Sequence, residues 1–308
     1  MKKKYKSTFL LFLTAIIWGF AFVAQRVGAE FVGAFTFNGI RFILGSLSLI
    51  PVIMIFEKEK FDKNKFKKTL LTAVLAGVVL FIASTLQQFG IVYTGSAGKA
   101  GFLTGLYIVL VPLIRFIGGK KTSVLTFIGA IFAVAGLFFL CITGDKLTFG
   151  VGDIVLIIGA FFWAGHILIV DKFVNNVSTL KFSMIQFLVC GLLSMAFAIG
   201  TENIELSAIK SAGIPILYGG LMSVGVAYTC QILGQKDADP TFASIVFSTE
   251  SVFSAIGGAI ILNEIMSSRG YLGCVLIFIG IILSQLNIEI LRNFVKKILS
   301  VFKKNRGL

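Results

Sequence analysis

Two ionisable side chains of opposite sign, Arg41 and Glu250, stand deep inside long apolar runs of the chain. Arg41 lies about nine residues into one run and Glu250 about ten into another, which at ~1.5 Å per residue puts both roughly 14–15 Å deep. A charge at such a depth is costly and is by default a functional group whose partner must be named. Two chemistries are open. Arg41 clamps an anion such as a carboxylate while Glu250 receives a cation or a proton, or the two form a structural ion pair.

Other polar and aromatic side chains share these runs. Gln87 and Gln231 are candidates for substrate hydrogen bonds or for bonds between helices. His166 is the only histidine, so it cannot build an imidazole metal site; it is either a packed neutral side chain or a proton relay. Trp18 and Trp163 lie inside runs and not at their ends, where Trp usually anchors. They read as flat apolar walls for an organic solute or as packing. Tyr107 carries a hydroxyl that needs a partner when buried, which favours a cavity-facing position. Lys99 is close enough to a run's end to snorkel to water. The candidate substrate-binding set is therefore Trp18, Arg41, Gln87, Tyr107, Trp163, His166, Gln231 and Glu250.

The elements that position these residues follow from composition. Charged residues make up 14% of the chain, hydrophobic ones 57%, and the mean hydropathy is +0.96, whereas a soluble domain carries roughly 25% charge. Too little polar surface exists to wrap a water-soluble core, so the solvent is largely lipid. At about 20 apolar residues per spanning helix, 308 residues hold about ten spans and no separate soluble domain. The runs predict an all-α integral membrane protein with helices near 7–28, 32–56, 69–93, 96–118, 123–143, 150–170, 180–200, 212–234, 240–263 and 268–290. The third and fourth are parted only by Thr94-Gly95-Ser96.

The net charge of +14 sits in short clusters between apolar runs, a topology signal and not a nucleic-acid patch. With the N-terminus inside, 22 of the 28 Lys and Arg fall on the cytoplasmic side and five on the other, with Arg41 inside a span. An odd helix count would put the basic tail outside. The localisation expected is thus the cell (cytoplasmic) membrane, multi-pass, with both termini cytoplasmic. The basic start Met1 to Lys6 imitates a secretory signal, but the apolar stretch from Ser7 to Val23 exceeds the usual 7–15 residues. It is read as a retained helix. The tail 291–308 reads as a basic cytoplasmic segment, amphipathic on the inner leaflet or disordered. Cys141, Cys190, Cys230 and Cys274 fall in apolar runs with no metal or disulfide spacing.

Shifting the chain by about 144 residues lines up its halves. Ala15, Trp18 and Gly19 fall on Ala160, Trp163 and Ala164; Gln87 and Gly90 on Gln231 and Gly234; Gly129 and Gly136 on Gly273 and Gly280. The expected organisation is a five-helix repeat over 1–146 and a second over 147–290. Five crossings is odd, so the second copy enters the membrane inverted, an arrangement that places a site near the midplane between two exchangeable halves. Small residues such as Gly101, Gly105, Ala133, Ser254 and Gly258 suit close helix packing in lipid.

The run Ser96-Ala97-Gly98-Lys99-Ala100-Gly101-Phe102-Leu103-Thr104-Gly105-Leu106-Tyr107, followed by Val111-Pro112, resembles the fourth helix of bacterial EamA-type members of the drug/metabolite transporter superfamily. Trp18-Gly19, Gly152-Asp153 leading to Phe162-Trp163-Ala164, and Ala243-Ser244 through Glu250 to Asn263-Glu264 fit the same family. The resemblance implies a carrier with cytoplasmic termini and a central cavity lined by helices one to four and six to nine. It also implies substrates among amino acids, nucleosides, sugars and other metabolites, often exported. One departure matters: the family commonly has Pro directly after the ninth-helix Glu, and here Ser251 follows, which removes an obvious cause of a break in that helix.

The expected function is a secondary membrane transporter for a small organic metabolite, amino acid-like or related, working by alternating access, with export as one direction and proton coupling through Glu250 as one energy source. Its partners are a small-molecule substrate and the lipid bilayer, no nucleic acid, with the chain a monomer or homodimer. No cofactor is expected. An intramembrane enzyme would need paired catalytic groups, yet the chain has no HExxH, no GxSxG and no second deep carboxylate beside Glu250. A non-transporting structural or signalling membrane protein would leave the inverted repeat around deep polar residues without a purpose. The absence of a Walker A loop excludes direct use of ATP by this chain alone.

Overall fold

The computed structural model describes residues 2–57, 62–95, 97–120, 123–141, 150–262 and 268–285. Among them every regular element is a helix. The first half gives α1 (Lys2–Gly28), α2 (Ala34–Phe56), α3 (Lys63–Thr94), α4 (Ala97–Gly105), α5 (Tyr107–Ile117) and α6 (Val124–Cys141). The second gives α7 (Val151–Phe173) with a 3-10 turn Val174–Asn176, α8 (Thr179–Thr201), and the short α9 (Leu206–Ser211) and α10 (Gly213–Leu217). A π-helix (Tyr218–Tyr228), α11 (Thr229–Gln235), α12 (Pro240–Phe247), α13 (Glu250–Ile261) and α14 (Ser268–Gln285) follow. Among the described residues seven helical stretches are long and apolar enough to cross a bilayer, and Leu103–Ile117, Val124–Gly136 and Ser268–Leu283 are shorter apolar helices. Large apolar side chains such as Met54, Ile117, Ile199 and Ile214 point outward and exposed, as a lipid-facing surface requires.

Local chemistry explains the boundaries. Asp62 caps α3 by accepting from the backbone of Asn64 and Lys65, so this helix starts at Lys63, six residues before the apolar run. Gly95, at φ 62°, ends it and lets the chain turn directly into α4. The third and fourth helices are therefore separate. Asp239 caps α12, accepting from Thr241 and Phe242, with Pro240 at the first helical position.

The fourth and ninth expected helices are each interrupted, which the apolar runs did not show. The first break is at Leu106, between α4 and α5; the second is at Ser248 and Thr249, between α12 and α13. Despite Ser251 standing where a proline was expected, the ninth helix breaks. The Ser248 hydroxyl donates to the Ile245 carbonyl and the Thr249 hydroxyl to Val246, 2.7 Å each. Hydroxyls that bond back to preceding carbonyls compete with the helical ladder.

Packing runs between the halves more than within them. α1 packs on the π-helix, α11, α12 and α13, while α7 packs on α3, α4 and α5. α2 packs on α8, and α6 on α14. Glycines enable these approaches. Gly90 faces Leu156 and Gly234 faces Leu11; Gly136 faces the Gly273 carbonyl and Gly280 that of Gly129. The tail 286–308, Asn263 and Glu264, and the side chains of Lys99 and Cys141 lie outside the described residues. Cys190, Cys230 and Cys274 are free thiols.

Candidate functional site

α1 brings a stripe of Trp18, Ala21, Phe22 and Gln25 to the centre of the bundle, the i, i+3, i+4, i+7 spacing of one helical face. Opposite stand Arg41 from α2, Gln87 from α3, Thr104 and Tyr107 from either side of the first break, and Trp163 from α7. Ser223 and Tyr228 of the π-helix and Glu250 at the start of α13 complete the lining. The enclosed volume is about 30 Å³, room for about two waters and far below the ~300–1,000 Å³ of small-molecule pockets. In this conformation the helices leave no room at the cavity for a metabolite-sized solute.

Glu250 and Arg41 both face this space but form no ion pair with each other. Glu250 Oε1 accepts from the Tyr107 hydroxyl at 2.9 Å. Arg41 donates from Nε to Asn38 Oδ1 at 2.9 Å, and Asn38 Nδ2 is in turn anchored on the Ser84 carbonyl at 3.1 Å. The guanidinium lies 4.6 Å from the Phe42 ring centroid and 5.6 Å from that of Phe37, close enough for cation–π attraction. Among the described residues its two terminal nitrogens have no hydrogen-bond partner. Gln87 Nε2 donates to Gln25 Oε1 at 3.2 Å, joining α3 to α1.

The walls are aromatic. Tyr228 sits 4.6 Å from Trp18 and 6.2 Å from Trp163 between ring centroids, and the two tryptophans are 6.5 Å apart. Trp18 Nε1 donates to the Ser223 carbonyl at 3.4 Å. Trp163 Nε1 and Thr104 Oγ1 are buried without a partner. A buried donor left unsatisfied is costly, so both are groups a polar ligand would satisfy. α1 also contacts the π-helix through Thr14, whose Oγ1 lies 3.0 Å from the Ala227 carbonyl.

Of the candidates read from sequence, Trp18, Arg41, Gln87, Tyr107, Trp163 and Glu250 meet at this cavity. His166 and Gln231 do not. His166 Nε2 pairs with Gln186 Oε1 at 3.0 Å, and its ring stands edge-on to Trp163 and Tyr228. It supports the wall from behind. Gln231 is buried between helices with Oε1 unpartnered. Gln25, Thr104, Ser223 and Tyr228 went unread. Gln25 was reachable, since it lies seven residues after Trp18 on the same face. Ser223 and Tyr228 are five apart, a spacing that shares a face only in a π-helix.

A bundle of bilayer-length apolar helices around a polar, aromatic-walled cavity defines a multi-pass membrane protein with an internal polar cavity. The EamA-like transporter family matches residues 6–142 and again residues 150–286, and the chain belongs to that family. The two matches begin 144 residues apart. The chain is 27% identical to an uncharacterized transporter of Archaeoglobus fulgidus over 90% of its length and 85% of that protein's. It is 24% identical to the uncharacterized inner membrane transporter YedA of Escherichia coli, over 90% and 89% of the two chains. A solved crystal structure shares the fold with TM-score 0.76, at 18% identity and covering 91% and 96% of the chains.

Proposed function

We propose that this chain is a secondary carrier that moves a small zwitterionic or carboxylate-bearing metabolite, amino acid-like in chemistry, by alternating access. The observation that carries this reading is the unpaired Arg41 and Glu250 facing one closed cavity. Two opposite charges kept apart in a low-dielectric interior are costly, and a solute with an anionic and a cationic end offsets that cost when bound. Arg41 receives the anionic end. Glu250 receives the cation or a proton, held in place by Tyr107. Trp18, Trp163 and Tyr228 enclose the body of the solute, and Trp163 Nε1 and Thr104 Oγ1 supply donors.

The cycle in this reading rests on ten spans in two inverted units, 1–146 and 147–290, with both termini cytoplasmic and export as the working direction. The exchanged contacts support it. Gly90 meets Leu156 while its counterpart Gly234 meets Leu11, the counterpart of Leu156. Helices related by the shift, α2 with α8 and α6 with α14, pack on one another, as elements beside a two-fold axis do. The cavity's small volume fits the closed point of such a cycle. A thermal-shift screen of metabolites on the purified protein tests the proposal, because a ligand that binds only the folded state raises its apparent stability. Hits confined to carboxylate-bearing solutes that also exchange across proteoliposomes support it. Exchange of none of the hits would sink it.

A further inference from the structure

A second cleft lies far from the central cavity, where the C-terminal part of α2 meets the first turns of α3 and α8. Ile50, Ile53 and Met54, Phe66, and Ile185 wall it, and Lys181 is its one charged side chain. Its volume is about 350 Å³, more than twice the ~150 Å³ that accommodates benzene in a protein interior. Ile50 lies six residues from the end of α2, and Ile185 six residues into α8, so the cleft runs ~9 Å inward from the helix ends.

We infer that this cleft seats one acyl chain of an anionic phospholipid whose phosphate rests on Lys181. A cleft this apolar does not hold water, and Ile50, Met54 and Phe66 are exposed on the surface that lipid surrounds. The headgroup choice follows from charge. Lys181 is half-buried at the cleft, and among the described residues no carboxylate pairs with it. Lys63, Lys67 and Lys68 are exposed along the adjoining turns of α3. Among the described residues the acids between α2 and α3 are Glu57 and Asp62, and Asp62 is engaged as the cap of α3. Each basic residue near a membrane surface favours an anionic headgroup by about fivefold.

The seat has a mechanical consequence for α2. Met184 also lines the cleft, and its carbonyl accepts from the Ser46 hydroxyl at 2.9 Å. Ser46 stands on α2 between the cleft and Arg41. A chain in the cleft thus braces the helix that presents Arg41 against α8, whatever solute the central cavity takes.

Native mass spectrometry of the full chain in detergent tests the seat, with phosphatidylglycerol and phosphatidylcholine of identical acyl chains supplied at equal concentration. The expected result is retention of phosphatidylglycerol over phosphatidylcholine by about fivefold or more. Lys181→Ala removes that preference, Ile53→Trp fills the cleft and lowers retention of both lipids, and Lys210→Ala changes neither. Equal retention of the two lipids by the wild type, or an unchanged preference in Lys181→Ala, overturns the inference. So does displacement of the lipid by millimolar glycerol phosphate, which would mean a headgroup site to which the apolar cleft contributes nothing. Should Lys181→Ala not survive extraction, Ile53→Trp decides: undiminished retention refutes the seat. None of these readings depends on transport.

Discussion

The Tyr107 hydroxyl donates to Glu250 Oε1 across 2.9 Å, and each of these residues is the first of its half-helix after a break, Tyr107 in α5 and Glu250 in α13. The two interrupted helices are therefore joined at the cavity by this side-chain hydrogen bond, and one residue on, Ser251 Oγ donates to the Gly101 carbonyl of α4 at 3.3 Å. Tyr107→Phe leaves a buried carboxylate oxygen unsatisfied, at a cost of about 1–3 kcal/mol. The thermal midpoint of purified protein should fall by several degrees, and solute exchange should weaken with it. An unchanged midpoint would mean that the bond is not formed in the resting protein.

Arg41→Lys is expected to be damaging although it conserves charge. The guanidinium is held by Asn38 through Nε and lies against Phe42, leaving its fork of terminal nitrogens for a carboxylate; an ammonium offers neither geometry. Among solutes that stabilise the wild type, each carboxylate should lose at least about tenfold in affinity on Arg41→Lys, while its amide analogue changes little. Equal loss for acid and amide would assign Arg41 a purely structural role.

Trp163→Phe separates lining from packing. The substitution keeps a ring in the aromatic wall and deletes Nε1, which has no partner in the closed state. Folding stability should drop only by what the smaller ring leaves unfilled, since no hydrogen bond is lost, whereas binding of a solute that accepts from Nε1 should weaken by about a further fivefold. A parallel loss of stability and binding would return Trp163 to simple packing. Trp18→Phe is the contrast, because Trp18 Nε1 already donates to Ser223.

Glu250→Gln tests energy coupling in proteoliposomes. A carboxyl that takes up a proton on one side and releases it on the other makes transport follow a pH gradient; an amide cannot. The variant should keep equilibrium exchange of solute and lose its response to the gradient. A response to pH identical to that of the wild type would remove Glu250 from the coupling mechanism.

The proposed topology is open to a reporter fused after Leu308 that is active only outside the cytoplasm. The 22-to-5 distribution of basic residues leads us to expect no activity. Activity there would end the ten-span reading and the inversion with it.

The membrane character and most of the central residues were legible because hydropathy is a strong signal and a lone charge in an apolar run stands out. Arg41 and Glu250 are visible in this way to anyone counting residues. What hid was backbone geometry. The breaks at Leu106 and at Ser248 carry no proline, and the second depends on hydroxyls bonding backward, a choice that a serine or threonine leaves open. His166 shows the converse: a sole histidine in a span attracts attention, yet Gln186 engages it behind the wall. Tyr228 escaped because a tyrosine in a glycine-rich run looks like packing, and only the π winding turns it and Ser223 to the same side.

That winding makes the two halves unequal. Tyr228 aligns, under the 144-residue shift, with Ser84 in the uninterrupted α-helix α3, so the segment that closes one flank of the cavity has no true twin on the other. Two faces that opened with identical parts would be equally populated at rest. Here they are not identical parts, and a difference of only about 1.4 kcal/mol between the two open forms already sets a tenfold preference for one of them. Under the proposed alternating access the protein would then idle facing one side of the membrane, and that resting bias, without any change at the cavity residues, would be enough to make loading from the two compartments kinetically unlike.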